Sequence, residues 1–286
     1  MGRALDLRRK TALVTGASSG IGREIAKVLA RDVATLVLVA RRRDRLEELA
    51  GELSAAHPAL RVRICDVDLT DRGAAARMLD ALDDEGIAID VLVNNAGFGD
   101  RGLLNERPWS KIEALLELNV VGATYLLHRL LPGMIERGYG GVLNIGSVAG
   151  IVSKPGSAVY GASKSYLNAL SEALAAEVRG TGVVVTAVLP GPVPTEFGVM
   201  ASKSEASPVE NAGAEAGAPG RSFKMPRVLF VSAEDCAEQS VRALVEGRAR
   251  VVPGGAMRAA AAVMDNLPRV VWRQILGRAA RKMRGE

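Results

Sequence analysis

Short apolar runs recur along the chain, separated by stretches in which apolar residues return every three or four positions. Thr11 to Thr15, Leu36 to Ala40, Arg61 to Cys65, Asp90 to Val93, Gly141 to Ile145 and Val183 to Leu189 read as strands. Leu36 to Ala40 is apolar without a break, as a strand covered on both faces must be. Between these runs, Gly22 to Ala30, Leu46 to Leu53, Asp71 to Leu82 and Trp109 to Thr124 have helical periodicity. So does the stretch from Tyr160 onward, where Leu167, Leu170, Ala173 and Leu174 stand at core spacing. Ser232-Ala233-Glu234-Asp235 offers a capping hydroxyl and first-turn acids, opening a helix to about Val245. Arg250 to Pro253 is a candidate seventh strand. Strands alternating with helices predict an α/β fold with a parallel sheet.

The pattern lapses twice. From Gly198 to Pro226 the residues are small, polar and weakly periodic. A loop that long inside a compact domain is usually either functional or disordered. Leu267 to Arg284 carries Val270, Val271, Trp272, Ile275, Leu276 and Met283 among six basic residues. Such a basic amphipathic helix either lays its apolar stripe on the core or a partner subunit, or rests on a membrane surface. Residues 1–260 are therefore expected as one domain and 261–286 as a helical extension.

Composition narrows the partners. A chain of 286 residues with 48% apolar content buries a substantial core. Cys65 and Cys236 are far apart without CxxC spacing, and His57 and His128 stand alone, so no metal site or disulfide framework is expected. A reducing cytoplasm fits, with peripheral membrane contact left to the basic tail. No apolar run reaches the ~18 residues needed to cross a bilayer. Met1 to Asp6 lacks the hydroxyl residue of a myristoylation signal, and no secretory leader is expected. A net charge of +5 suits either an anionic partner or solubility alone, while 3% aromatics is too few for stacking bases, so nucleic acid is not an expected partner.

Two stretches carry candidate chemistry. Tyr160 and Lys164, four apart, share one helix face. An ammonium beside a phenol favours the phenolate, so Lys164 is expected to bring Tyr160 toward neutrality as a proton donor and acceptor. Ser147, just beyond the Gly141–Ile145 run, places a hydroxyl where it can bind a carbonyl oxygen beside that phenol. Taken alone, the same residues also describe a strand-end serine and a surface pair. Near the N-terminus, Gly16-Ala17-Ser18-Ser19-Gly20-Ile21-Gly22 follows a strand and opens a helix. Its glycines allow a tight turn and close backbone approach, and its bare amides suit a pyrophosphate.

With Asn94-Asn95-Ala96-Gly97, Asn119 and Pro190-Gly191-Pro192-Val193-Pro194-Thr195, these motifs run in an order that resembles the classical short-chain dehydrogenase/reductase family over roughly residues 8–198. The resemblance implies a single-domain, Rossmann-type, doubly wound parallel sheet of about seven strands with helices on both faces. Arg41 stands about 20 residues beyond the glycine turn, where an acid would grip the ribose hydroxyls of NAD; an arginine suits a 2′-phosphate, so NADP(H) is expected over NAD(H). Arg41 to Arg45 is otherwise only a solvated helix start, and Ser19 sits where some NADP-binding relatives add a second basic residue.

By resemblance, Asp68 and the amide of Leu69 lie near the adenine, with Asp66 a rival for that place. Asn95, Ala96 and Gly97 steady the sheet and contact the adenine-side ribose. Pro190, Gly191, Val193 and Thr195 turn over the nicotinamide, with the Val193 backbone and the Thr195 hydroxyl on its carboxamide. Ser147 and Tyr160 bind the substrate oxygen, Tyr160 transfers the proton, Lys164 binds the nicotinamide ribose, and Asn119 positions a water toward Lys164. Residues 198–226 correspond to a substrate lid. The implied activity is reversible hydride transfer between NADP(H) and a ketone or aldehyde and its alcohol, on a hydrophobic substrate walled by Leu103, Leu104, Ile151, Val152, Phe197 and Met200. Helices around Asn119 and Tyr160 imply a homodimer or homotetramer. A non-catalytic NADP(H)-binding regulator and a membrane-surface scaffold are the alternatives.

Overall fold

The computed structural model describes residues 5–152, 154–198 and 226–284. The expected lid lies outside the described residues apart from its ends at Gly198 and Pro226, and so does Met200. Seven strands, β1 (Thr11–Thr15), β2 (Thr35–Ala40), β3 (Arg61–Asp66), β4 (Val91–Asn94), β5 (Gly140–Ile145), β6 (Val183–Val188) and β7 (Arg250–Val251), form one sheet in the order β3-β2-β1-β4-β5-β6-β7. Every neighbouring pair is parallel. The order reverses between β1 and β4, and open parallel sheets bind ligands outside the carboxyl ends of their strands at such a switch.

Both faces of the sheet are covered, which explains its unbroken apolar runs. Ala12, Val14, Leu36 and Leu38 point to one layer, while Leu13, Val37 and Val39 point to the other, as a two-residue period dictates. On the first face lie α1 (Gly20–Leu29), with Ile25 and Leu29, and α2 (Arg43–Ala56), with Leu46, Leu49 and Leu53. On the second lies α3 (Arg72–Asp84), with Met78, Leu79 and Leu82. Asp71 caps α3 by accepting a bond from the Ala74 amide at 3.0 Å. Each such buried Leu or Met contributes roughly 1.5–3 kcal/mol.

The long helix expected over Trp109 to Thr124 is not one regular helix. It comprises α4 (Trp109–Leu116), a π-helical turn (Glu117–Gly122) that holds Asn119, and α5 (Ala123–Glu136), which adds Leu126, Leu127 and Met134 to the second layer. The next helix, α6 (Ala158–Glu177), departs from its predicted stripe at one residue: Leu167 is buried, but Ala173 is exposed. The face it turns inward also carries Lys164, Asn168 and Ser171. Leu170 and Leu174 are partly buried against the second layer, so the predicted stripe holds apart from Ala173, and polar groups at the sheet ends share the face.

Ser232 caps α7 (Ala233–Val245) through its hydroxyl, 3.0 Å from the Asp235 amide, and α7 returns Ala237, Val241 and Leu244 to the first layer. A helix that apolar spacing did not announce, α8 (Gly255–Asn266), crosses residue 260 and packs Met257 and Ala261 over Ala187, Leu189 and Val252. The tail forms α9 (Arg269–Arg284), where Trp272 donates its indole N–H to the Met264 carbonyl at 3.3 Å while Val270 and Ile275 stay exposed. Among the described residues, no helix is long and apolar enough to cross a membrane.

Candidate active site

The glycine turn between β1 and α1 is shaped by steric necessity. Gly16 and Gly20 have φ of +67° and +57°, values that side chains rarely adopt. A Cβ on Gly22 would meet the Asn95 side chain and, at 2.5 Å, the Gly16 carbonyl oxygen. Ser19 precedes α1 without a side-chain capping bond, so its hydroxyl leaves the first-turn amides to other acceptors. Thr195, from the turn after β6, closes over Gly20: a Cβ there would stand 3.2 Å from the threonine methyl. The turn expected to hold the pyrophosphate and the turn expected to lie over the nicotinamide therefore meet. Ile21 is partly buried against the first core layer.

Thr15 fastens this crevice, although nothing in its sequence context singles it out. Its hydroxyl donates to the Val93 carbonyl (3.1 Å) and accepts from the amides of Asn95 (3.0 Å) and Ala96 (2.9 Å). The Asn95 amide group donates back to the carbonyls of Thr15 (2.9 Å) and Gly16 (3.3 Å). Asn94 donates to the Ala123 carbonyl and to Asn144, which donates to Ser171. These bonds tie the ends of β1, β4 and β5 to the helices above them.

The arginines after β2 diverge. Arg41 turns to Asp68, 3.6 Å away, and Thr70 holds the same carboxylate through its amide and hydroxyl. Burial raises the Asp68 pKa, but the bonds from Thr70 and Arg41 outweigh it and leave a net lowering. Leu69 is buried, and Asp66 faces Arg43 at 3.4 Å. Arg42 reaches the glycine turn, donating to Ser19 Oγ (2.8 Å), Ser18 Oγ (3.1 Å) and Glu196 Oε2 (2.9 Å). The basic group that Ser19 does not supply thus arrives through space.

Ser147, Tyr160, Lys164 and Asn119 converge beyond β4 and β5. Ser147 is buried and accepts from the Ala149 amide at 3.0 Å, and its hydroxyl lies near enough to the Tyr160 phenol to lower that phenol's pKa. Asn168 braces Ser147 by donating to its carbonyl at 3.0 Å. The Phe197 ring lies 5.8 Å from that of Tyr160, tilted by 51°. Asn119 is buried and fully engaged: it donates to the Phe98 carbonyl (3.0 Å) and Ser163 Oγ (3.1 Å), and accepts from the Phe98 amide (3.1 Å). A Cβ on Gly97 would stand 2.8 Å from Asn119 Oδ1 and 3.6 Å from Lys164 Nζ, so the chain after β4 passes directly between the two.

The electrostatics of Tyr160 and Lys164 differ from the expectation. Burial raises the Tyr160 phenol above its ordinary value, against the Ser147 hydrogen bond and the field of Arg101, which pull it down. Lys164 does not lower it. Its buried ammonium donates to the Ile145 carbonyl at 2.7 Å, and burial lowers its own pKa to about 8. Tyr160 is therefore a neutral phenol at neutral pH, the form that donates a proton.

The wall beside Tyr160 is less apolar than expected. Leu104, Ile112 and Val159 line it, together with Asp100 and Arg107. Arg107 forks onto Asp100 through Nε (2.8 Å) and Nη2 (2.6 Å), Lys111 approaches the same carboxylate at 3.1 Å, and the Gly102 amide bonds the Gly156 carbonyl at 3.0 Å. Ile151 packs toward the cluster under α8, while Leu103 and Val152 are partly buried. After β6, the Pro190 carbonyl accepts from the Val148 amide at 3.1 Å, a Cβ on Gly191 would crowd Met257 at 2.7 Å, and Val193 is partly buried.

Comparison with known proteins bears on the family and the fold. The family model described as short chain dehydrogenase matches residues 10–206. An uncharacterised oxidoreductase of Myxococcus xanthus is 38% identical over 192 residues, covering 67% of this chain and 75% of that one. A short-chain dehydrogenase from Sphingobium yanoikuyae in complex with NADPH superposes with a TM-score of 0.73 at 29% identity, covering 91% of this chain and 96% of that one. A short chain dehydrogenase/reductase from Burkholderia phymatum in complex with NAD gives 0.75 at 26% identity, covering 91% and 94%.

Proposed function

The chain belongs to the short-chain dehydrogenase family, and on that premise we propose that it is an NADP(H)-dependent oxidoreductase interconverting a hydrophobic ketone or aldehyde and its alcohol, with Tyr160 as the proton donor. The family assignment itself makes it an oxidoreductase of CH–OH and C=O groups with a nicotinamide cofactor. The residues present fit that cofactor, since the glycine turn leaves no room for a Cβ at Gly22. When bound, the nicotinamide supplies or accepts the hydride. The amides from Ser18 to Gly22 would hold the pyrophosphate, Arg41 and Arg42 the 2′-phosphate, and Asp68 with Leu69 the adenine. Asn95, Ala96, Gly97 and Lys164 would hold the riboses, and Pro190, Gly191, Val193 and Thr195 the nicotinamide end.

The observation that carries the catalytic reading is the convergence of Ser147, Tyr160, Lys164 and Asn119 beside that crevice, with the Tyr160 phenol kept neutral by burial. Both hydroxyls can donate to one substrate oxygen, and developing negative charge on that oxygen strengthens both bonds. Tyr160 then releases its proton to that oxygen. Lys164, with its pKa near 8, is mostly charged at neutral pH, and Asn119 fixes the Gly97–Phe98 turn beside it. Leu104 and Phe197 support an apolar substrate, and residues 198–226 would cover it. Exposed Trp109 and Tyr166 on α4 and α6 support subunit contact there, as a homodimer or homotetramer. Two buried free thiols suit a reducing cytoplasm. Residues 261–286 would act as an extension that begins within α8, whose Ala261 packs on the catalytic sheet.

A turnover screen with NADPH and NADH against 2,3-butanedione, decanal, 4-nitroacetophenone and a keto steroid tests this. The expected result is consumption of NADPH in preference to NADH with at least one apolar carbonyl. Tight NADPH binding without consumption on any carbonyl would replace the enzyme with a cofactor-binding regulator.

A further inference from the structure

We propose that Glu196 is an internal competitor for the 2′-phosphate subsite, occupying Arg42 until the phosphate of NADP(H) displaces it. The proposal rests on the NADP(H) reading above and adds a residue that opposes it. The Arg42 guanidinium is held at the glycine turn by Ser19 Oγ at 2.8 Å and Ser18 Oγ at 3.1 Å, and its Nη1 meets Glu196 Oε2 at 2.9 Å. Glu196 directly follows Thr195, which lies over Gly20, so this ion pair bridges the crevice from the end of β2 to the turn after β6. Arg41 is already engaged by Asp68 and Arg43 by Asp66 and Glu47. Arg42 is therefore the arginine whose guanidinium is preset at the turn and whose carboxylate partner comes from the opposite rim.

The exchange is energetically easy. Arg42 and Glu196 side chains are 45% and 51% exposed, and exposed ion pairs contribute little. A phosphate monoester brings more charge and three acceptor oxygens to the same fork, which a single carboxylate does not match. Bonds from Arg42, with help from Arg45 and Ser19, hold the Glu196 carboxyl below its ordinary pKa, so it remains anionic at neutral pH. NAD(H) has no 2′-phosphate and leaves the pair closed. Glu196 thereby weakens NADP(H) selectively.

The test is equilibrium binding, without turnover: NADPH and NADH are titrated by nicotinamide fluorescence into wild type, Glu196→Gln, Arg42→Ala and the double variant. Glu196→Gln is expected to tighten NADPH by about threefold to fivefold, the worth of one exposed ion pair, with NADH unchanged. In the Arg42→Ala background the same substitution is expected to do nothing. Equal tightening of both cofactors, which reports general charge repulsion, overturns the proposal, as does unchanged or weaker NADPH binding. Failure of the wild type to bind either cofactor defeats the underlying reading instead, so the two failures are distinguishable.

Discussion

Lys164 shows how much of this site is decided by environment rather than by residue type. Its ammonium sits in the interior on the Ile145 carbonyl, and burial lowers its pKa from 10.5 to about 8. Below about pH 8 both folded and unfolded chains hold the proton, and the folded state bears the full cost of burying charge. Between about 8 and 10.5 the unfolded chain binds the proton more strongly, so stability rises with pH through that window, by up to roughly 3 kcal/mol. Lys164→Met abolishes that rise, whatever it costs through the unpaired Ile145 carbonyl. Urea unfolding of both proteins across the window checks this, and parallel pH profiles would contradict it. The four-residue spacing of Tyr160 and Lys164 announced their shared face. It did not announce the direction of either shift, because spacing carries no information on burial. Arg42 escaped notice for a related reason: three consecutive arginines do not say which one turns toward Ser18 and Ser19.

At the scale of elements, polar groups as well as an apolar stripe set the fit of α6. Asn168 donates to the Ser147 carbonyl and Ser171 accepts from Asn144, so the helix is docked by hydrogen bonds beside Leu167, Leu170 and Leu174, while Ala173 is exposed. The loop after β4 is docked by charge. Asp100 and Arg107 side chains are only 10% and 9% exposed, and Gly102 between them has a φ of +147° that brings them together. Asp100→Ala removes the carboxylate from a buried guanidinium and is expected to cost about 3–5 kcal/mol. Arg107→Ala in the Asp100→Ala background should add much less than Arg107→Ala alone. Thermal unfolding of the cycle measures the coupling; additive losses would show that the pair is incidental. Neither residue stood out in the sequence, since their meeting depends on one glycine's backbone. The strands were plain by contrast, because a sheet covered on both sides leaves runs such as Leu36 to Ala40 no alternation to hide in.

For the whole molecule, the order of motifs along the chain carried the fold further than any single motif. The glycine turn, Asn94–Gly97, Ser147 and the Pro190–Thr195 turn fall at or just beyond the carboxyl ends of β1, β4, β5 and β6, on the same edge of the sheet as the β1–β4 switch, and Tyr160 follows on α6. Less was readable past Thr195. The helix α8 has few large apolar residues, and the stripe on α9 predicts a covered face without naming what covers it. The central claim is that a half-buried, neutral Tyr160 phenol delivers the proton beside a bound nicotinamide. The most direct test preloads wild type and Tyr160→Phe with NADPH and follows loss of the nicotinamide absorbance in a single turnover with a carbonyl from the screen. The variant is expected to bind NADPH as wild type does and to react about 10²–10⁴-fold more slowly. Wild-type reactivity in Tyr160→Phe would contradict the account.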